Sequence, residues 1–261
     1  MSIVELLWPA FALAIALVFI HTVFGIEIIR RGVIFTDLAI GQIAAIGMAI
    51  SIAFMDGAYQ SAMTLLFAII AAAIITWATR HIQKIEAFIG LLYALGISSI
   101  MLILARSAEG TELFSKLSAA DILFTSTDEL IKSLLIYSVV AFVMFVIYPK
   151  IKGVFKEFLF FMMLAITVTS SVQSAGVLVV FSLLIAPAYA GISQKKFKPF
   201  IFACVFGSIS IIVALFASYH LDLPTGYAII FTTVISSLIF VVLSSKSTTE
   251  VVPPGESRNK L

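Results

Sequence analysis

Four side chains between residues 21 and 42 carry the imidazole, carboxylate or amide groups that can bind or pass a cation: His21, Glu27, Asp37 and Gln42. Imidazole, carboxylate and amide oxygen suit zinc, manganese or iron better than a soft ion that prefers thiolate. A second polar group comes much later, with Thr167, Thr169, Ser170, Ser171, Gln173 and Ser174 leading into Gly176 and Ser182 beyond it. The same residues also suit plainer roles. A His and a Gln on neighbouring helices can simply hydrogen-bond and hold them together. Asp37 and Glu27 can snorkel to a membrane boundary or pair with Arg30 and Arg31. Both readings stay open at this stage.

The elements that must position these groups are apolar. Hydrophobic residues make up 62% of the chain and charged ones 11%, against about 25% charged in a soluble domain. Nine hydrophobic stretches recur, each near the ~20 residues a helix needs to cross a bilayer core. They are Val4 to Ile29, Val33 to Met55, Ser61 to Thr79, Ile85 to Ala105, Leu130 to Tyr148, Phe155 to Val172, Gly176 to Ala190, Pro199 to Tyr219 and Gly226 to Ser244. The reading is an all-α, polytopic membrane protein. A transmembrane domain fills residues 1–245, and 246–261 is a polar tail expected to be disordered.

Charge sets the expected orientation. Thirteen of the 16 lysines and arginines follow the odd-numbered spans, leaving Arg106, Lys116 and Lys132 in the long loop after span four. Basic loops stay in the cytoplasm, so the N-terminus is expected outside and the C-terminus inside. The first apolar run is too long for a cleaved signal peptide and lacks a basic start. A net charge of +2 gives no reason to expect nucleic acid, and one cysteine, Cys204, excludes an intrachain disulfide. No repeat, nucleotide-binding loop or hydrolytic triad is found, so the chain is not expected to be an enzyme.

Depth follows from a rise of about 1.5 Å per residue. His21 and Gln42 would both lie roughly 12–14 Å from the cytoplasmic boundary if spans one and two form a hairpin, and could then face each other. The Thr167–Ser174 cluster must either break its helix and line a cavity or form the outer turn between spans six and seven. So few loop residues there favour a re-entrant or broken helix. Pro187 is expected to kink or end span seven.

Four segments together resemble the membrane permease subunits of zinc, manganese and iron ATP-binding-cassette importers, the ABC-3 family. They are His21 to Gly47 (HTVFGIEIIRRGVIFTDLAIGQIAAIG), Glu86 to Gly96 (EAFIGLLYALG), Asp121 to Ser126 (DILFTS) and Val172 to Ala190 (VQSAGVLVVFSLLIAPAYA). The resemblance implies a homodimeric permease in the lipid of a bacterial plasma membrane. It also implies a cytoplasmic ATPase that uses the ATP, an extracytoplasmic metal-binding protein, and no cofactor on this chain. The path would run between helices one, two, six and seven, lined by His21, Asp37, Gln42, Ser170, Gln173 and Ser182, with His21 and Asp37 as metal ligands. Arg31, Gly32, Glu86, Lys195 and Lys196 would meet the ATPase. Two departures stand out. Gln42 lies where many members carry a His, and the loop Pro149 to Val154 lacks the family's ATPase-contact segment. Either the ATPase docks through the other inner loops or coupling is altered. A carrier driven by an ion or proton gradient, with His21 and Asp37 as its relay, is the alternative.

Overall fold

A computed structural model describes residues 3–105, 114 and 122–249. Among these residues every regular element is helical. Nine long helices follow one another: α1 (Ile3–Arg31), α2 (Thr36–Phe54), α3 (Gln60–His81), α4 (Ile85–Leu104), α5 (Thr127–Phe142), α6 (Val154–Ala175), α7 (Val177–Ser193), α8 (Pro199–Leu221) and α9 (Thr225–Thr249). The all-α polytopic reading holds. Eight of these segments are long and apolar enough to span a membrane, and α7 is apolar at 17 residues. Backbone groups in hydrocarbon must bond within their own segment, which is why every candidate span is a helix.

Local chemistry sets several boundaries. Ser126 caps α5 in a reciprocal box, its hydroxyl accepting from Glu129 N–H while Glu129 accepts from Ser126 N–H. That satisfies two orphan donors at the helix start. At its other end α5 loosens into a π-turn, Val143–Ile147, and a 3-10 turn, Tyr148–Lys150. Pro199 opens α8, where its missing N–H costs nothing. Pro187 does not end α7, which continues to Ser193. Helix α9 runs to Thr249, past the expected boundary at 245, and residues 250–261 lie outside the described residues.

Two expectations are corrected here. The Thr167–Ser174 stretch neither breaks nor turns. Helix α6 passes straight through it to Ala175, and Gly176 alone, at φ +86°, joins α6 to α7. The reason is that three of its five hydroxyls bond to their own helix: Thr167 donates to Met163 O (2.8 Å), Ser171 to Thr167 O (2.7 Å) and Ser174 to Ser170 O (3.4 Å). A hydroxyl satisfied one turn back needs no cavity. The second correction concerns α1 and α2, which do not pack as a hairpin. Helix α1 lies against α5, α7 and α8, whereas α2 lies against α3, α4, α6 and α7.

The interior of the bundle is built from α1, α2, α6 and α7. Two-thirds of the α2 span is buried (67%), against 22% of the α4 and α9 spans, which turn apolar faces outward. One aliphatic and aromatic core joins α1, α2, α6 and α7, with Phe24, Phe160 and Phe161 fully enclosed. Small residues allow close approach. A Cβ on Gly25 would fall 1.9 Å from Leu184 O of α7, and one on Gly47 2.4 Å from Met63 O of α3.

Candidate functional site

Helix α2 begins without a side-chain cap. Its first two residues, Thr36 and Asp37, are buried, and neither carboxylate oxygen of Asp37 nor the hydroxyl of Thr36 has a hydrogen-bond partner. Asp37 is 2% exposed, so it neither snorkels nor pairs with Arg30 or Arg31, as the boundary reading would have it. A buried carboxylate left without a partner costs several kcal/mol by order of magnitude. Its place at a helix N-terminus offsets part of that, because the N–H groups there favour negative charge. One turn on, Gly41 faces Val168 of α6 and Val177 of α7, and Phe35 stacks on Phe181 of α7 at 6.3 Å. The start of α2 is therefore set beside α6 and the start of α7.

His21 is fully buried in α1. Its Nδ1 lies 2.8 Å from Leu17 O, and Nε2 has no partner. A carbonyl only accepts, so Nδ1 is the donor, and in the neutral ring Nε2 then carries a free lone pair. Val18, before it, touches Gly207 of α8, and Gly25, after it, meets Leu184 and Ala188 of α7. His21 and Asp37 thus lie on two helices that both pack against α7, with no hydrogen bond between them. Among the described residues no three His, Cys, Asp or Glu side chains gather into a metal cluster.

The other expected path residues disperse. Gln42 does not face His21; its Cβ lies against Gly96 of α4. Ser182 is buried and donates to Val179 O at 2.8 Å. Ser170 is half-buried and Gln173 is exposed. Thr169, next to them, is the hydroxyl of that stretch left buried without a partner. Its neighbours in sequence look identical, so no signal in the sequence singles it out.

The basic end of the bundle is more tightly knit than the sequence indicates. Arg31 bonds Glu27 (3.0 Å) and Tyr148 Oη (2.6 Å), and its guanidinium lies 4.3 Å over the Phe160 ring. Glu86, at the start of α4, accepts from Ile34 N–H at 2.6 Å. Arg80 pairs with Glu157 at 3.2 Å. Gly32 sits between Arg31 and Ile34 at φ +67°, with open space around it. Lys195 and Lys196 are exposed in a loop folded by Gln194, which donates to Gly191 O and Phe197 O and accepts from Phe197 N–H. Of the residues expected at an ATPase, Arg31 and Glu86 have their side chains bonded within the chain, whereas Lys195 and Lys196 are exposed.

The chain as a whole is similar to several known proteins. Residues 149–246 match the ABC 3 transport family. The chain is 27% identical over 237 residues to the manganese transport system membrane protein MntC of Listeria monocytogenes, covering 84% of this chain and 83% of that protein. It is 26% identical over 164 residues to a protein of Haemophilus influenzae described as an iron transport system membrane protein, covering 56% and 60%. Its fold is similar to that of PsaBC from Streptococcus pneumoniae in complex with Fab, with a TM-score of 0.72 at 21% identity over 92% of this chain and 90% of that one. A metal-chelate type ABC transporter in an inward-facing conformation gives a TM-score of 0.66 at 14% identity, over 92% and 85%. The resemblance read from the sequence, to the permease subunits of metal-ion ABC importers, is the one these likenesses support: the chain is a multi-pass helical membrane protein similar to ABC-3 permeases, which its residues 149–246 match.

Proposed function

We propose that this chain forms the translocation path of an ATP-driven importer for a divalent metal, manganese, iron or zinc, in a bacterial plasma membrane. The observation that carries the reading is Asp37, a carboxylate buried in a membrane bundle with neither oxygen bonded. Ionisable groups at such positions mark pathways, and the relatives named for manganese and iron supply the cargo class. Transport needs ligands that bind and release, so a sparse set fits better than a closed cage. His21 and Asp37 are the proposed metal ligands, with Ser170 and Gln173 of α6 and Ser182 of α7 as further polar groups of the path between helices one, two, six and seven.

The basic end faces the cytoplasm, following the positive-inside rule. There a separate ATPase subunit meets Gly32, Lys195 and Lys196 and hydrolyses ATP, so this chain performs no chemistry itself. A second copy completes the path, and an extracytoplasmic binding protein delivers the ion.

The test is uptake of radioactive manganese, iron and zinc into proteoliposomes holding this chain with its ATPase and binding protein. ATP-dependent uptake that is lost in Asp37→Ala is the expected result. Uptake that ignores ATP and follows a proton gradient would replace the reading with a secondary carrier.

A further inference from the structure

We infer that Glu86 is a positioning residue for Asp37: its carboxylate fastens the turn that opens α2 to the basic end of α4. The inference rests on the reading of Asp37 as a path residue. Ile34 precedes Asp37 by three positions, and its N–H donates to Glu86 Oε1 at 2.6 Å across 52 residues of sequence. The other bonds of the turn are local, with Gly32 N–H to Ile29 O, Val33 N–H to Ile28 O and Thr36 N–H to Val33 O. No side chain caps α2. Among the described residues this hydrogen bond ties the turn before the helix to α4, while Phe35 on Phe181 and Gly41 against Val168 and Val177 set its first turns beside α6 and α7. A charge-assisted bond is among the stronger of its kind, and a carboxylate at a helix N-terminus also complements the positive end of the helix.

The turn has a second anchor. Arg31 is held by Glu27 and Tyr148 and lies over Phe160, which ties the last turn of α1 to the end of α5 and the start of α6. Two anchors three residues apart thus belong to different parts of the bundle, with Gly32 between them. Gly32 adopts a positive φ with no atom crowding it, so rotation there is cheap. When the ends of α4 and of α5 and α6 move relative to each other, Gly32 takes up the twist and Asp37 is carried with α4. Glu86 then transmits a movement of the basic end to the buried carboxylate, without itself touching the ion.

Glu86→Ala removes the acceptor, whereas Glu86→Gln keeps an amide oxygen for Ile34 N–H. The readout independent of transport is the rate at which a hydrophobic carbodiimide labels Asp37 in the full chain in vesicles, with Asp37→Asn as the blank. Thermal unfolding confirms that each variant is folded. Glu86→Ala is expected to change labelling at least fivefold and to lower the metal carried per ATP hydrolysed at least fivefold, while Glu86→Gln stays within twofold on both. Wild-type labelling in Glu86→Ala, or a Glu86→Gln variant as impaired as Glu86→Ala, overturns the inference. Labelling that changes in a chain whose wild type carries no metal would support the positioning role and refute the transport reading.

Discussion

Gln42 and Gly96 lie Cβ to backbone: a methyl group built on Gly96 would fall 2.6 Å from Gln42 Cβ and 3.3 Å from its carbonyl carbon. The contact sets how closely α2 can lie against α4. Gly96→Ala must push the two helices apart, because the obstruction is backbone and Cβ rather than a mobile chain end. Overpacking of this kind costs about 1–3 kcal/mol. Gly90, on the same helix, has nothing within 4 Å of its Cβ position. Gly90→Ala should instead stabilise by about 0.5–1 kcal/mol, the helix preference of Ala over Gly. Thermal unfolding in mild detergent reads both, and opposite signs are expected.

Asp37 should show stability and function pulling apart. Replacing it by Leu removes a buried carboxylate with two unbonded oxygens. An unsatisfied buried polar group costs about 1–3 kcal/mol, so Asp37→Leu should melt higher than wild type while metal uptake falls at least tenfold. A lower melting temperature would mean that the carboxylate has a structural partner.

At His21 the free Nε2 lone pair is a nitrogen donor of the type zinc favours more than manganese does. His21→Leu should lower zinc uptake more than manganese uptake from an equimolar mixture. A shift of about tenfold in the ratio corresponds to ~1.4 kcal/mol of preference. An unchanged ratio would assign His21 to packing between α1 and its neighbours.

The clasp around Arg31 should weaken in steps. Tyr148→Phe deletes one 2.6 Å hydrogen bond and should cost about 1 kcal/mol. Arg31→Lys loses the planar fork over Phe160 as well and should cost about 2 kcal/mol. Unfolding of the purified protein checks the order, and a Tyr148→Phe variant more damaged than Arg31→Lys would contradict it.

Span positions were legible because apolar runs and basic loops are direct imprints of the bilayer, and each of the nine appears within a few residues of its expected place. Glu27 with Arg31 was also within reach, since residues four apart share a helix face. Which helices touch was not. His21 and Gln42 have matching depths, yet α1 and α2 pack elsewhere, because depth fixes one coordinate and leaves the direction in the membrane plane open. The Thr167–Ser174 cluster misled for another reason. Polarity in a sequence does not say whether a hydroxyl needs a partner or already has one in its own helix. Glu86 with Ile34 was hidden because one partner is a backbone N–H, which every residue has.

Gly176 has a mechanical consequence. Its N–H closes α6 on Val172 O, and its carbonyl opens α7 by accepting from Val180 N–H. The two helices share one residue and no slack, so their relative orientation has only the two backbone rotations of Gly176 as free variables. At φ +86° and ψ 157° that residue already occupies ground closed to any side chain. Tilting α6 therefore drags the first turn of α7, and Phe181 with it, against Phe35 at the doorway of α2. Lengthening this joint by even two residues would let each helix move without informing the other.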